Sequence, residues 1–247
     1  MSNTARIIWK SVGVSLVAAL LIAAVVMGVR MRSSEQPCRT LTYIIEDQNE
    51  RLYLTQNELN HILAAENIYP VGRTLDRGLI YRIEQAILHH PMVRKAECYV
   101  TPRREVRVRL TQRVPLLRVQ MPGDIYFIDT DRRVMPVRTA VTDKVLVVTG
   151  AVGTQFAAHQ LADFAEWLQD NKYWRERVHH VQVQSPQMVY VYMRGENQPR
   201  AVLGNMSRYE QKLDKLRIFL ENSPEEIRAK QYTELDLRFR GQVIGRN

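Results

Sequence analysis

An uncharged apolar run near the N-terminus is the feature that most constrains this chain. Residues 12 to 29 carry no charged side chain, and Ser15 is the only hydroxyl among them. A membrane-spanning helix needs roughly 20 mostly apolar residues, and Trp9 suits a position at the membrane interface. The sequence therefore predicts a transmembrane helix over residues 11–31, preceded by a short tail of residues 1–10.

The same run has a second interpretation, a cleaved signal peptide. Signal peptides carry a shorter apolar region of about 7–15 residues, followed by small residues at the cleavage site. Here the run ends in Met27-Gly28-Val29, and Arg30 follows at once, which makes a poor cleavage site. Basic residues flank both ends of the run, so charge alone does not set its orientation. We expect an uncleaved anchor with a cytoplasmic N-terminus and the bulk of the chain outside the cytoplasm.

The composition is that of a folded, basic protein. Hydrophobic residues make up 45% and charged residues 25% of the sequence, as in ordinary globular domains. The formal net charge of +9 and the pI near 9.7 indicate an anionic partner, which is a lipid surface, an acidic protein or nucleic acid. For a domain held at a membrane, the lipid bilayer or a protein is favoured, and no nucleic acid is expected.

Two cysteines leave the redox state open. The spacing of Cys38 and Cys98 matches no zinc-binding pattern. The two either pair as a disulfide in an oxidising compartment or remain as two free thiols.

Residues 38–112 predict a small domain with the element order β-α-α-β-β. The first strand spans Thr40 to Ile45, and Thr55 opens a helix with Glu58 three residues later as a capping box. The second helix runs from Asp76 to His89 and is followed by two strands, Val93 to Val100 and Glu105 to Thr111. In the last strand Val106, Val108 and Leu110 alternate with Arg107 and Arg109, so one face of the sheet packs on a core and the other meets water.

Residues 113–247 predict a second domain, mixed and β-rich with flanking helices, and the fold class is therefore α+β. An amphipathic helix is predicted over Phe156 to Gln169, and Asn205 is predicted to cap a second helix that contains Leu213 and Leu216. The predicted strands are Asp124 to Ile128, Val134 to Val137, Val145 to Val148, Val178 to Val183, Met188 to Met193, Ala201 to Leu203, Leu235 to Phe239 and Val243 to Arg246.

The chain lacks the common catalytic signatures. It has no nucleophile elbow, no His-Glu-x-x-His and no Walker loop. The adjacent pairs His89-His90 and His179-His180 would face opposite sides of a strand, which is wrong for one metal ion. Asp129 and Asp131 are better explained by a turn than by catalysis. We expect no enzyme, no cofactor, no metal and no small-molecule substrate.

The order of parts resembles the bacterial cell division family FtsQ, called DivIB in Gram-positive bacteria. The β-α-α-β-β unit is similar to a POTRA domain, and His90-Pro91-Met92-Val93 resembles the step between its second helix and strand. The stretch Tyr126 to Asp129 followed by Val145 to Gly150 resembles the opening of the family's β domain. Tyr232 to Phe239, with Gln242-Val243-Ile244, resembles its C-terminal strand pair and is the most specific of these motifs.

The resemblance implies a non-catalytic scaffold in the inner membrane at the division septum. Such a protein recruits FtsB (or DivIC) and FtsL and helps to regulate septal peptidoglycan synthesis. The alternative is a POTRA-type membrane-protein assembly or transport factor. Those proteins normally carry a β-barrel, for which the remaining residues are too few and too helical.

The C-terminal strand pair is the predicted partner site. If the last strand ends its sheet, it has an unpaired row of backbone N–H and C=O groups, which is either blunted by arginines or used for adding a partner strand. The alternation places Leu235, Leu237 and Phe239 on one face and Asp236, Arg238 and Arg240 on the other. The resemblance favours binding of FtsB there, through Leu235, Leu237, Arg238, Phe239, Gly241, Gln242, Val243, Ile244 and Arg246.

A basic stretch is the second candidate surface. Eight lysines and arginines between Arg94 and Arg118, among them Arg113, stand against Glu97 and Glu105. The plain interpretation is a solvated sheet face. The functional one is a membrane- or partner-facing surface formed by Arg103, Arg104, Arg107 and Arg109.

Overall fold

The computed structural model describes residues 17–25, 37–49, 53–137, 144–223 and 232–247. Their contacts divide them into two compact units, one ending at Gln112 and one running from Arg113 to Asn247 together with Tyr53. Residues 17–25 are helical, and the rest of the transmembrane helix predicted over 11–31 lies outside the described residues. Within the described part of the chain, no helix is long and apolar enough to cross a membrane.

The first unit has the predicted β-α-α-β-β order. Its sheet runs in the order β1-β3-β2, with β1 parallel and β2 antiparallel to the central β3. The two helices begin where their sequence signals place them. The Thr55 hydroxyl accepts a hydrogen bond from Glu58 N–H at 3.2 Å, and the Asp76 carboxylate accepts one from Leu79 N–H at 2.7 Å. The elements are β1 (Thr40–Ile45), α1 (Gln56–Ala65), α2 (Arg77–Leu88), β2 (Val93–Val100) and β3 (Glu105–Gln112).

The second unit is built on one mixed sheet. The strands described in it have the order β12-β11-β10-β9-β8-β7-β4-β5-β6. They are β4 (Pro115–Met121), β5 (Asp124–Asp129), β6 (Val134–Pro136), β7 (Leu146–Gly150), β8 (Val178–Ser185), β9 (Met188–Met193), β10 (Arg200–Gly204), β11 (Glu234–Asp236) and β12 (Ile244–Arg246).

Among the described residues, three helices cover this sheet and close its core. The helix α3 consists of Thr154–Phe156, a π-helical turn Ala157–Leu161 and Ala162–Asp170; α4 is Lys172–Arg177 and α5 is Tyr209–Asn222. Phe164 and Leu168 from α3, with Leu213 and Leu216 from α5, are buried in the same cluster as the inward side chains of the sheet. The amphipathic helix predicted over Phe156 to Gln169 is confirmed, although its π-helical turn was not predicted.

The strand β4 was not predicted, although it lies inside the sheet between β7 and β5. Pro115 stands at its first position, where proline is tolerated because no ladder N–H is needed. Leu116 and Leu117 are both buried, so the start of the strand shows no alternation. A strand packed on both faces lacks the period-two pattern by which strands are predicted from sequence.

The predicted capping role of Asn205 is wrong. Arg208, at a φ of 53°, precedes the first residue of α5. The Asn205 side chain instead accepts hydrogen bonds from Ser207 N–H at 3.2 Å and Ser207 Oγ at 2.7 Å. Asparagine closes such a local turn as readily as it caps a helix, so its type alone does not fix the helix start.

Asp129 has the predicted turn role. Its carboxylate accepts hydrogen bonds from the backbone N–H groups of Asp131 at 2.9 Å and Arg133 at 2.7 Å. Arg113 Nη1 lies 2.6 Å from the same carboxylate, and both side chains are nearly inaccessible to solvent. Arg113 is therefore a buried ion-pair partner and is not part of a basic surface.

The histidine pairs are not arranged as expected. His89 ends helix α2, and His90 follows it, so neither lies on a strand. The Nδ1 atoms of His179 and His180 are 2.8 Å apart, because the ladder of β8 shifts between Val178 and His180 and brings the rings together. Within the described residues, no group of three or more His, Cys, Asp or Glu side chains is arranged to hold a metal ion.

Both cysteines are free thiols. Cys38 is buried, and its Sγ donates to the Thr40 carbonyl at 3.3 Å. Burial, with smaller contributions from Glu84 and Cys38, raises the pKa of the Cys98 thiol to about 12. Because the thiolate is the reactive form, the Cys98 thiol is a poor nucleophile near neutral pH.

We predict slow alkylation of Cys98 in the folded chain. A pKa of about 12 in place of 9.0 lowers the thiolate fraction at pH 8 about a thousandfold. In a Cys38→Ser variant, iodoacetamide should react with folded Cys98 about a hundredfold more slowly, or slower still, than in urea at the same pH. Equal rates in the two states, followed by mass spectrometry, would contradict this environment for the thiol.

Candidate partner-binding edge

The terminal strand β12 lies at one end of the described sheet. It pairs antiparallel with β11, in the register Glu234 with Arg246 and Asp236 with Ile244. The strand β11 in turn runs parallel to β10. The predicted hairpin is therefore present, but each of its strands has only three residues, and the ladder ends at Asp236 instead of continuing to Phe239.

The backbone alternation fixes which groups of β12 are free for a partner. Leu237 N–H donates to the Val202 carbonyl in β10 at 2.9 Å, so the preceding Asp236 directs its backbone groups toward β12. Ile244 pairs with Asp236, and Arg246 pairs with Glu234. The backbone N–H and C=O groups of Ile244 and Arg246 are therefore directed toward β11. The residue between them, Gly245, directs its N–H and C=O away from β11, toward the open side, where no further strand of the described residues lies.

A buried carboxylate organises this hairpin. The Asp236 side chain has no solvent exposure and accepts hydrogen bonds from Arg238 Nε at 2.9 Å, Arg238 Nη2 at 2.6 Å and Arg246 Nη2 at 3.0 Å. The alternation placed Asp236 on the same face as Arg238, and the two side chains do meet, but the burial of the carboxylate was not predicted. Asp236 lies inside because its negative charge is fully paired there by two guanidinium groups that reach in from more exposed positions.

The electrostatics of the cluster agree with its geometry. Hydrogen bonding by the Arg238 side chain holds the pKa of the Asp236 carboxyl below its ordinary value near 3.8, against the opposing effect of burial. A second ion pair connects β10 and β11, since Arg200 Nε and Nη2 both donate to the Glu234 carboxylate, at 3.0 and 2.9 Å. The cluster thus links β10, β11 and β12 through charge-assisted hydrogen bonds.

Lysine 215 anchors the segment that leaves β11. Its Nζ on helix α5 donates to the carbonyls of Leu237 at 3.0 Å and Phe239 at 2.5 Å. Burial lowers the pKa of Lys215, and the nearby Asp236 charge partly offsets that effect. No sequence pattern predicts this role, because Lys215 lies on the polar side of an amphipathic helix, 22 residues before the first carbonyl that it binds.

Two glycines make room for these contacts. A Cβ on Gly204 would lie 2.9 Å from Arg238 Cγ and Cδ, so the arginine stem packs directly on the end of β10. A Cβ on Gly245 would lie closer than 3.0 Å to three ring carbons of Tyr232. The tyrosine ring therefore lies against the middle of the edge strand.

The predicted partner-binding residues fall into two groups. Leu235 and Leu237 are buried in the core of the second unit, and Val243 packs against it. Arg238, Gly241, Gln242 and Arg246 are exposed, and Ile244 is half-buried. Phe239 is 46% exposed, which is high for an aromatic side chain. The edge therefore offers backbone groups at Gly245 and an apolar side chain at Phe239.

Two of the four arginines of the predicted basic face are paired with acidic side chains. In β3, Val106, Val108 and Leu110 are buried and Arg109 is exposed, as the alternation predicted. Arg107 Nη2 lies 3.0 Å from Glu105, Arg109 Nε lies 3.6 Å from Glu46, and Glu97 is opposite Arg109 in the ladder. Arg103 and Arg104 lie in the turn between β2 and β3. These pairs fit the solvated-face interpretation, and binding at this face stays a prediction.

The fold and the terminal edge define the class of this protein. It is an α+β protein of two units with a sheet edge at β12, and its described residues contain no metal-binding cluster. Residues 36–111 match the POTRA-like domain, and residues 114–246 match the family described as FtsQ/DivIB, C-terminal related. The second match covers more than half of the sequence, and the chain belongs to the FtsQ/DivIB family. No individual curated protein matches the chain.

Family membership gives the coarse function. POTRA-like and FtsQ/DivIB domains are non-catalytic scaffold folds, and they associate this chain with cell division and with protein partners in the division complex.

We predict that Asp236 makes the second unit sensitive to acid. Its folded-state pKa is lowered, so its contribution to stability is complete above the ordinary value and is lost as the pH falls through the lowered one. Asp236→Asn should reduce the free energy of unfolding at pH 7 by about 1–3 kcal/mol and flatten its decline below about pH 4. Urea unfolding between pH 3 and pH 7 measures both effects.

Asp214→Asn is the matched control for this prediction. The Asp214 carboxylate is 60% exposed and lies 3.6 Å from Arg217. Exposed pairs of this kind contribute roughly 0–1 kcal/mol, so the control should scarcely change the unfolding curve. Equal effects of the two substitutions would contradict the role assigned to Asp236.

We predict that Gly245→Ala destabilises the hairpin through Tyr232. The new methyl group forces either the ring or β12 to move, at a cost of about 1–3 kcal/mol. The cost should be smaller in a Tyr232→Ala background, and a double-mutant cycle measured by urea unfolding gives the coupling. Gly153→Ala is the control, because a Cβ there meets nothing within 4 Å. An unchanged cost without the ring would disprove the contact.

Proposed function

We propose that this protein is a single-pass inner-membrane scaffold of the division septum, with its N-terminus in the cytoplasm and its two units in the periplasm. It recruits FtsB/DivIC- and FtsL-type proteins and helps to regulate septal peptidoglycan synthesis without catalysing a reaction. The proposal rests on family membership and on one observation, the position of β12 at the end of the described sheet. The anchor is the apolar run of residues 12 to 29.

The proposed mode of binding is the addition of a partner strand to β12. Main-chain hydrogen bonds supply affinity in this mode, and side chains beside the edge supply specificity. The N–H and C=O of Gly245 are directed to the open side, and the exposed ring of Phe239 lies on the segment between β11 and β12. A partner strand bonded to Gly245, with an apolar side chain against Phe239, uses both groups.

The small size of this edge has a consequence for affinity. A three-residue strand offers few outward backbone groups, so the ladder by itself binds weakly. Phe239 and the ordered guanidinium of Arg238 then carry a large share of the binding energy, as aromatic and arginine side chains do at interfaces. Anchoring in one membrane also raises the effective concentration of both partners, so a modest contact is sufficient.

We predict that Phe239→Ala weakens partner binding about tenfold or more, because an aromatic anchor at an interface is worth over 1 kcal/mol. The measurement is the dissociation constant of the full chain, in a nonionic detergent, for an FtsB–FtsL-type complex, determined by biolayer interferometry. Circular dichroism establishes that the variant remains folded.

Val134→Ala is the control for this measurement. Val134 lies in β6, at the opposite end of the sheet, and its 49% exposure is close to the 46% of Phe239. The control should bind like the wild type. Equal losses in both variants, or no loss in Phe239→Ala, would move the interface away from β12. Absence of binding by the wild type would refute recruitment of these partners.

A further inference from the structure

The second unit contains a cavity that the proposed scaffold function does not use. Its volume is about 730 Å³, within the range of small-molecule sites. It lies where β4, β7 and β8 begin and where α3 ends, with further walls from α4 and from Arg194, which follows β9. In the sheet, β9, β10 and β11 separate these three strands from β12, so the cavity and the partner-binding edge are different sites.

The charges around this cavity have one sign. Arg118, Lys144, Arg175 and Arg194 line it together with His179. None of the described lining residues is an aspartate or glutamate. Like charges gathered around a concave surface repel one another, and a bound anion relieves that repulsion.

Two of the four cations donate hydrogen bonds to backbone carbonyls, and the other two have no described hydrogen bond. Arg175 Nη1 donates to the Gln169 carbonyl at 2.9 Å, and Arg194 Nε donates to the Val178 carbonyl at 3.0 Å. Arg118 Nε is buried and has no hydrogen-bond partner in the described part of the chain. Lys144 has no described acceptor either. A buried donor without an acceptor is costly, so an acceptor supplied by a ligand would remove that cost.

Apart from Gln169, the remaining described wall is apolar. Leu116, Phe127, Leu168 and Val178 line the cavity beside the cations and are nearly inaccessible to solvent. Val145, Leu146 and Val147 also line it, and they are half-buried and so offer apolar surface to a ligand. An inorganic anion alone would leave this surface without a contact. The ligand that fits both parts has an anionic group joined to an apolar portion.

We propose that this cavity binds the phosphate group of a small amphiphilic ligand, with Arg118 and Lys144 as its principal donors. A phosphate monoester carries a charge of about −1.5 to −2 at neutral pH and three acceptor oxygens, which matches several cations around one cavity better than a carboxylate does. The walls come from six separate elements around a concavity, which fits a compact ligand and not an extended peptide. The apolar portion lies on the half-buried wall around Leu146 and Val147.

The test is isothermal titration of the full chain in dodecyl maltoside, without phosphate buffer. Hexyl phosphate represents a soluble phosphate ester and dihexanoyl phosphatidic acid represents a lipid phosphate, so their relative affinities distinguish the two sources. We expect saturable binding of at least one of them, tighter than that of inorganic phosphate and of hexanoate, and weakened by added salt. No saturable binding of either phosphate ester, or equal binding of hexanoate, overturns the proposal.

Substitutions locate the binding. Arg118→Gln and Lys144→Gln should each weaken binding about tenfold, the loss expected for one charge-assisted hydrogen bond. Lys172→Gln, an exposed residue of α4 that does not line the cavity, is the control and should bind like the wild type. Lys144 is exposed, so its variant keeps the test valid if Arg118→Gln does not fold. Unchanged affinity in Lys144→Gln and in any folded Arg118→Gln overturns the proposal, because the anion then binds elsewhere.

Discussion

The buried carboxylate of Asp236 is the interaction on which the terminal edge depends. Two strands of three residues are too short to hold together through their own ladder. Asp236 adds hydrogen bonds that the short ladder does not provide. Its carboxylate accepts them from Arg238 in its own segment and from Arg246 in the opposite strand. The charge that would be costly to bury is thereby fully paired, and the hairpin is closed by one side chain. Lys215 and the Arg200–Glu234 pair attach the closed hairpin to α5 and β10.

Much of the architecture was predictable from local signals. Thr55 and Asp76 mark the helix starts of the first unit because a side-chain cap is a contact between near neighbours in the chain. Val106, Val108 and Leu110 mark β3 because half-buried strands show period two. The order of elements in the POTRA-like unit follows from such signals alone.

The parts that were missed depend on contacts distant in sequence. The strand β4 is buried on both faces at its start, so Leu116 and Leu117 show no alternation. The burial of Asp236 was not predicted, because it depends on Arg246, ten residues later, as well as on the nearby Arg238. The basic stretch separates in the fold into a buried pair at Arg113, compensated arginines on β3 and a cavity-lining Arg118. A count of charges along the chain does not foresee such a division.

The contact of Lys215 with two carbonyls gives the edge a mechanical property. A hairpin held by successive single hydrogen bonds unzips under tension one bond at a time. Here one ammonium holds the carbonyls of Leu237 and Phe239 together, and its helix is fixed in the core by Leu213 and Leu216. A pull on the segment at Phe239 is therefore passed to the whole of helix α5. The two hydrogen bonds therefore share the load, and both must break together before the segment at Phe239 separates from the helix.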